Sequence, residues 1–221
     1  LVDRIGDSIA FMESFGGVKA EELGSTEFWV AHEGLHLPHE SALVRGGKDA
    51  WYATSAHFLW IGERTRDPAG AHVEFFRGLA NPVGVKLGPN ADPASVLELS
   101  RILNPLNQPG KLAFITRMGK GRSAASLPPL LAAMRDEGRR ALWICDPMHG
   151  NTETAPGGRK TRRFDAILGE LEECAAAHER AGTVLGGVHF ELTGEDVTEC
   201  MGGPSDLKAE DLDLRYETWC D

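Results

Sequence analysis

Six side chains able to bind anions or metals each sit at the end of a short apolar run. Gly62-Glu63-Arg64 follow the run 56–61, Lys86 closes the run 83–87, and Arg117 follows 112–116. Asp146-Pro147-Met148-His149 follow 141–145, Glu191 lies near the end of 187–192, and Asp221 follows 214–220. The first three charges, Arg64, Lys86 and Arg117, are cations. Guanidinium groups grip phosphate or carboxylate bidentately, and an ammonium adds a compact charge. Three such groups meeting at one place would repel one another without an anion. The last three, His149, Glu191 and Asp221, offer an imidazole and two carboxylates, a donor set for Mn²⁺, Fe²⁺, Co²⁺ or Zn²⁺ rather than Ca²⁺ or Mg²⁺ alone. Cations beside a metal suit a phosphorylated substrate whose partner presents a carbonyl for the metal to polarise. Any single one of these residues reads equally well as a surface charge at a strand end. Weight comes from six in succession, sorted by chemistry.

The runs that carry them are short and uniformly apolar, the pattern of strands buried on both faces of a parallel sheet. Helical stretches alternate with them. Asp92-Pro93 is an N-cap with proline at the first helical position, followed by Val96, Leu99 and Leu103 on one face. A second helix is expected over 127–139, opened by Pro128-Pro129. A third is expected over 163–181, carrying Phe164, Ile167, Leu168, Leu171 and Cys174 and closed by Gly182. This alternation predicts an α/β protein with parallel strands and right-handed crossovers, and in a barrel the strand ends converge on one mouth. Residues 1–50 read as a helical N-terminal segment, with Ile5, Ile9 and Met12 on one face, Gly16-Gly17 as a stop, and a further helix from about Ser25 through Glu33. Residues 51–221 read as the barrel portion.

The 221 residues carry a formal net charge of −10, which argues against sequence-independent nucleic-acid binding, since that needs a basic surface. No run of 18 apolar residues suggests a membrane span, and no signal peptide opens the chain. Four cysteines without a CxxC pair read as thiols of a cytoplasmic protein rather than a disulfide framework. The missing initiator Met suggests that the chain is not the whole gene product.

Other residues invite competing readings. His32-Glu33-Gly34-Leu35-His36 matches HExxH, but Gly34 and Pro38 disfavour the rigid helix that a zinc protease needs, so an ordinary structural role is expected. His57 and His189 fall within strand patterns, and by period two His189 shares a face with Glu191, deeper in the mouth. Cys220 should point away from Asp221 as a buried thiol. Arg159, Lys160, Arg162 and Arg163 read as a solvated loop. Trp60 and Trp143 read as core, with Trp60 against the floor of the site.

The strings themselves carry a resemblance. SAHFLWIGERTR at 55–66, GAHVEFFRGLANPVGVK at 70–86, ITRMG at 115–119, CDPMHGN at 145–151, KTRRF at 160–164, GVHFELTGEDVTEC at 187–200 and RYETWCD at 215–221 resemble the type II (plant-like) 3-deoxy-D-arabino-heptulosonate 7-phosphate (DAHP) synthases, in the family's order. The resemblance implies a (β/α)8 TIM barrel of which this chain holds strands 3–8. It implies a metal-dependent condensation of phosphoenolpyruvate with erythrose 4-phosphate, opening the shikimate pathway. In that scheme Gly62, Glu63, Arg64, Lys86 and Arg117 bind phosphoenolpyruvate, and His149, Glu191 and Asp221 bind the metal. Mn²⁺ is the first choice, with Co²⁺, Fe²⁺ or Zn²⁺ as alternatives. Lys86 acts in the chemistry and Glu63 orders the attacking water. Small-molecule substrates, a homo-oligomer, and neither nucleic acid nor membrane are the expected partners. This chain lacks the family's earlier Cys and its Lys-Pro-Arg-Ser segment: no Cys precedes Cys145, and no Lys-Pro-Arg occurs. The segment alone is therefore expected to be inactive. A related synthase using an aminated sugar phosphate, and a non-catalytic barrel fragment, stay open as alternatives; the resemblance gives lid duty over the substrates to the basic loop.

Overall fold

A computed structural model describes residues 29–217, together with Gly6 and Ala10. The helix expected around Ile5, Ile9 and Met12, the start of the one expected from Ser25, and both Cys220 and Asp221 lie outside the described residues.

Six parallel strands form the main sheet: β1 (Ala31–Glu33), β4 (Phe58–Ile61), β5 (Val83–Leu87), β6 (Leu112–Thr116), β7 (Leu142–Cys145) and β10 (Gly187–Val188), hydrogen-bonded in that order. The sheet is curled, the arrangement of an incomplete barrel. Between β1 and β4 lie α1 (Leu37–Ala42) and a small antiparallel pair, β2 (Val44–Gly46) with β3 (Trp51–Ala53). The crossovers are α2 (Ala71–Arg77), α3 (Pro93–Leu103), α4 (Ser123–Asp136) and α5 (Phe164–Ala181). The link from β7 to α5 contains β8 (Glu153–Thr154) and β9 (Lys160–Arg163), which join β11 (Cys200–Met201) in a second sheet.

Burial follows from alternation. Leu59, Ile61, Val83, Val85, Leu87, Phe114, Trp143 and Cys145 pack with Val96, Leu99, Leu103, Leu127, Leu130 and Leu131 from the helices. Each fully buried aliphatic side chain contributes about 1.5–3 kcal/mol of transfer free energy. The other strand face carries Phe58, Trp60, Lys86, Ile115 and Ile144 into a cleft. Register sets Lys86 beside Ile115 and Ile115 beside Ile144, and Trp60 beside Gly84. Gly84 is needed there, because a Cβ would stand 2.6 Å from the Phe58 ring.

The apolar runs of β4 through β7 match the sequence expectation, as do the Asp92 cap, which accepts from the Ser95 N–H at 3.0 Å, and the left-handed Gly182 that ends α5. Several elements differ. Ala31–Glu33 is a strand rather than helix; its pairing with β4 (His32 beside Leu59) outweighs local preference. Helix α4 starts at Ser123, a turn before the expected 127, so Pro128 and Pro129 lie inside it and withhold donors only from carbonyls of its first turn. The run 187–192 is a strand only at Gly187–Val188, although the His189 N–H still reaches the Cys145 carbonyl at 2.8 Å. Over its described part, 214–217, the last run is not a strand: the Arg215 N–H is taken by Thr198 Oγ1 at 3.0 Å, and Leu214 is exposed. The basic stretch at 159–163 is strand rather than loop: Lys160–Arg163 is the central strand of the second sheet, and while Arg159, Lys160 and Arg163 are exposed as expected, Arg162 is buried. His57 sits in an exposed bend before β4, not inside a strand.

Candidate active site

At the carboxyl ends of the parallel strands opens a cleft of about 850 Å³. Gly62, Glu63, Arg64, Lys86, Arg117, His149 and Glu191 all line it, so every described residue expected at the site is brought together. Glu33, Phe58, Trp60 and His189 line it too.

Lys86 is the most constrained cation. Its side chain is 7% exposed, and its ammonium pairs with the fully buried carboxylate of Asp146 and stands 5.7 Å from the Trp60 ring centroid. Burial lowers its pKa against the pull of Asp146. For Asp146, burial works upward, but the His149 hydrogen bond and the Lys86 charge prevail and hold the carboxyl well below its usual range. Arg117 donates from one terminal nitrogen to the His149 carbonyl at 2.5 Å, while its Nε is buried with no partner among the described residues. Arg64 is exposed at the rim. Glu63 is held at both oxygens: Arg66 grips them at 3.0 Å, and the Gly88 N–H donates to Oε2 at 2.5 Å.

His149 joins the two halves. Its Nδ1 lies 2.7 Å from Asp146 Oδ2, and its Nε2 lies 3.2 Å from Glu191 Oε1. Glu191 Oε2 is 3.3 Å from an Arg162 guanidinium nitrogen, and Arg162 Nε donates to the Met148 carbonyl at 3.1 Å. The ring between two carboxylates has its pKa raised to about 8, first through the Asp146 hydrogen bond and then through Glu191. Burial and the nearby Lys86 charge lower His189, which meets the Trp60 ring edge-on at 5.0 Å.

These donors fit a divalent cation. A buried carboxylate fixing Nδ1 is the usual outer support of a metal-bound histidine, leaving Nε2 for the ion, with a carboxylate oxygen next to it. Two of the three expected ligands therefore converge. The third, Asp221, lies outside the described residues, and among those residues no set of three metal-binding side chains assembles.

A sequence model of the class-II DAHP synthetase family matches residues 1–221. The chain belongs to that family. It is 43% identical over 238 residues to a phospho-2-dehydro-3-deoxyheptonate aldolase of Neurospora crassa, and 44% identical over 228 residues to one of Mycolicibacterium smegmatis. All of this chain is aligned in both cases, against 50% and 49% of the relatives. The chain thus spans about half the length of these curated relatives.

For a member of this DAHP synthetase family, sequence reasoning overlooked three contributors, Asp146, Arg162 and Glu33. Asp146 was legible, standing three residues before His149 at the end of an apolar run. Arg162 was hidden because its partner Glu191 is far along the chain. His32 and His36 do not share a helix: His32 is in β1, His36 precedes α1, and His32 Nε2 bonds Glu40 at 2.9 Å. That geometry removes the zinc-protease reading, yet Glu33 of the same motif lines the cleft. Trp60 lines the cleft, as expected of the site floor, and Trp143 is core against Phe114.

Proposed function

We propose that this chain supplies the phosphoenolpyruvate site and most of the metal site of an enzyme that condenses phosphoenolpyruvate with erythrose 4-phosphate, giving DAHP and inorganic phosphate. The observation that carries the reading is the convergence of Arg64, Lys86 and Arg117 with His149 and Glu191 in one cleft. Family membership supports the reaction class. A complete (β/α)8 barrel would be closed by strands beyond β1 and β10, the two outer strands of the described sheet.

Arg64 and Arg117 would hold the phosphate and carboxylate of phosphoenolpyruvate. Lys86, already partly stripped of water, would stay charged beside Asp146 and contact the substrate where negative charge develops. His149 and Glu191, with Asp221, would hold Mn²⁺ or a similar ion. Such an ion, when bound, polarises the aldehyde oxygen of the second substrate. C3 of phosphoenolpyruvate then bonds to the aldehyde carbon, water adds at C2, and phosphate leaves by cleavage of the C2–O bond. Both Glu63 oxygens already accept hydrogen bonds, which favours a bracing role that keeps Gly62 to Arg64 at the rim over direct ordering of that water.

The test uses the complete natural polypeptide. Condensation should be abolished by EDTA and restored by Mn²⁺, with a product mass equal to DAHP. Consumption of an aminated sugar phosphate in place of erythrose 4-phosphate would redirect the substrate assignment. Activity unchanged in chelator would overturn the metal assignment.

A further inference from the structure

The two halves of the cleft stand on different loops. Arg117 opens the loop from β6 to α4, and His149 belongs to the short 3-10 turn His149–Asn151 after β7. Both loops rest on one carboxylate, that of Glu170 on α5, which is 1% exposed. The N–H of Met118, the residue after Arg117, donates to Glu170 Oε1 at 2.6 Å. The Gly119 N–H also points at this carboxylate. From the other side, Asn151 Nδ2 donates to Glu170 Oε2 at 2.7 Å, while Asn151 Oδ1 accepts from the Lys120 N–H at 2.9 Å.

The loops also touch each other directly. A Cβ on Gly150 would lie 2.5 Å from the Gly119 nitrogen, and Gly119 has φ +86. No side chain fits between them, so the two loops pack backbone against backbone beside the bonds they share with Glu170. Among the described residues no cation pairs with Glu170, and its carboxylate is answered by N–H dipoles alone. Burying such a group is costly, and burial indeed raises its pKa. A carboxylate is nevertheless the right group here, because it only accepts. A glutamine would turn an NH₂ toward one of the donors.

We propose that Glu170 is a positioning residue that locks the Arg117 loop to the His149 turn and so sets the distance between the anion-binding and metal-binding halves of the cleft. This rests on the functional reading given above. Glu170 touches neither substrate nor metal. It acts by holding two loops in register, where a misplacement of about 1 Å is enough to cost much of the catalytic advantage.

The test measures binding of each ligand separately on the complete polypeptide. Mn²⁺ affinity comes from the electron paramagnetic resonance signal of free Mn²⁺, and phosphoenolpyruvate affinity from calorimetry. E170Q should lower both affinities by about tenfold, the scale of outer-shell substitutions at metal sites. Asn151→Ala removes the bonds from the His149 turn to Glu170 and to the Lys120 N–H but leaves the Met118 and Gly119 N–H groups on Glu170, so it should weaken Mn²⁺ binding more than phosphoenolpyruvate binding, which keeps the test available if E170Q folds poorly. Ala177→Gly, two turns along α5, should lower Tm and leave both affinities alone. Should the wild-type protein bind neither ligand, the functional reading falls and this inference falls with it. Should the wild type bind both, and E170Q or Asn151→Ala match it for Mn²⁺, the positioning role alone is overturned.

Discussion

Two lysines mark opposite ends of the same pair of strands. Lys86 lies near the carboxyl end of β5, and Lys111 immediately precedes β6. Burial lowers the pKa of both, Lys111 to about 8. Their partners differ. Lys111 donates only to backbone, the carbonyls of Leu79 and Asn81, and plugs the amino end of the sheet. Lys86 is paired with Asp146, which is in turn tied to His149, and it faces an open cleft. Residue type and burial alone therefore do not identify a functional lysine. A carboxylate partner shared with a second reactive group, and room for a ligand, distinguish the one at the mouth.

The strongest way to break this contrast is Asp146→Ala. It leaves a buried ammonium without its counter-ion and removes the support of His149, so stability should fall by about 3–5 kcal/mol in denaturant titrations. Mn²⁺ binding should weaken at the same time. An unchanged unfolding midpoint would mean that Lys86 and Asp146 are not a true pair.

Next comes the matched substitution of each lysine by methionine. Lys86→Met should reduce kcat/KM for phosphoenolpyruvate by about a hundredfold, the loss of a charge-assisted contact worth about 1.5–3 kcal/mol. Lys111→Met should leave kcat/KM within about twofold and instead cost about 1–3 kcal/mol of stability, through two carbonyls left without a donor. Equal kinetic losses in both variants would erase the distinction between the two ends.

The smallest effect is a pH slope. The Lys111 pKa is about 8 when folded against a reference of 10.5, so the folded state gives up this proton first. The unfolded chain then binds more protons between those values, and the Lys111 contribution to stability increases as pH rises through that window. Below about pH 8 both states are protonated and the contribution is flat. Lys111→Met should remove this component from a plot of unfolding free energy against pH. A slope identical to wild type would show that Lys111 is not buried as a charged group.

Much of this architecture was legible before any coordinates. Strands β4 to β7 are apolar runs with a side chain able to do chemistry at each end, and α3 and α5 carry their own caps. Those features follow from local chemistry: alternation, hydrophobic burial, an Asp that caps and a Gly that tolerates positive φ. The short strand Ala31–Glu33 was not legible, because three residues, two of them polar, carry no periodicity and become a strand only by pairing with β4. Arg162 was misassigned for a similar reason, since a basic stretch looks solvated until β8 and β11 flank it.

By its own residues the chain determined the βα alternation, the cations and the metal-seeking groups at the strand ends, and its place in the DAHP synthetase family. Tertiary structure alone decided that Asp146 joins Lys86 to His149, that Arg162 reaches Glu191, and that Glu170 ties two loops together. These are contacts between residues up to 60 positions apart, and sequence spacing is blind to them. Hydrogen bonds and ion pairs act over a few ångströms in space, and only the folded register of the strands brings those partners within reach.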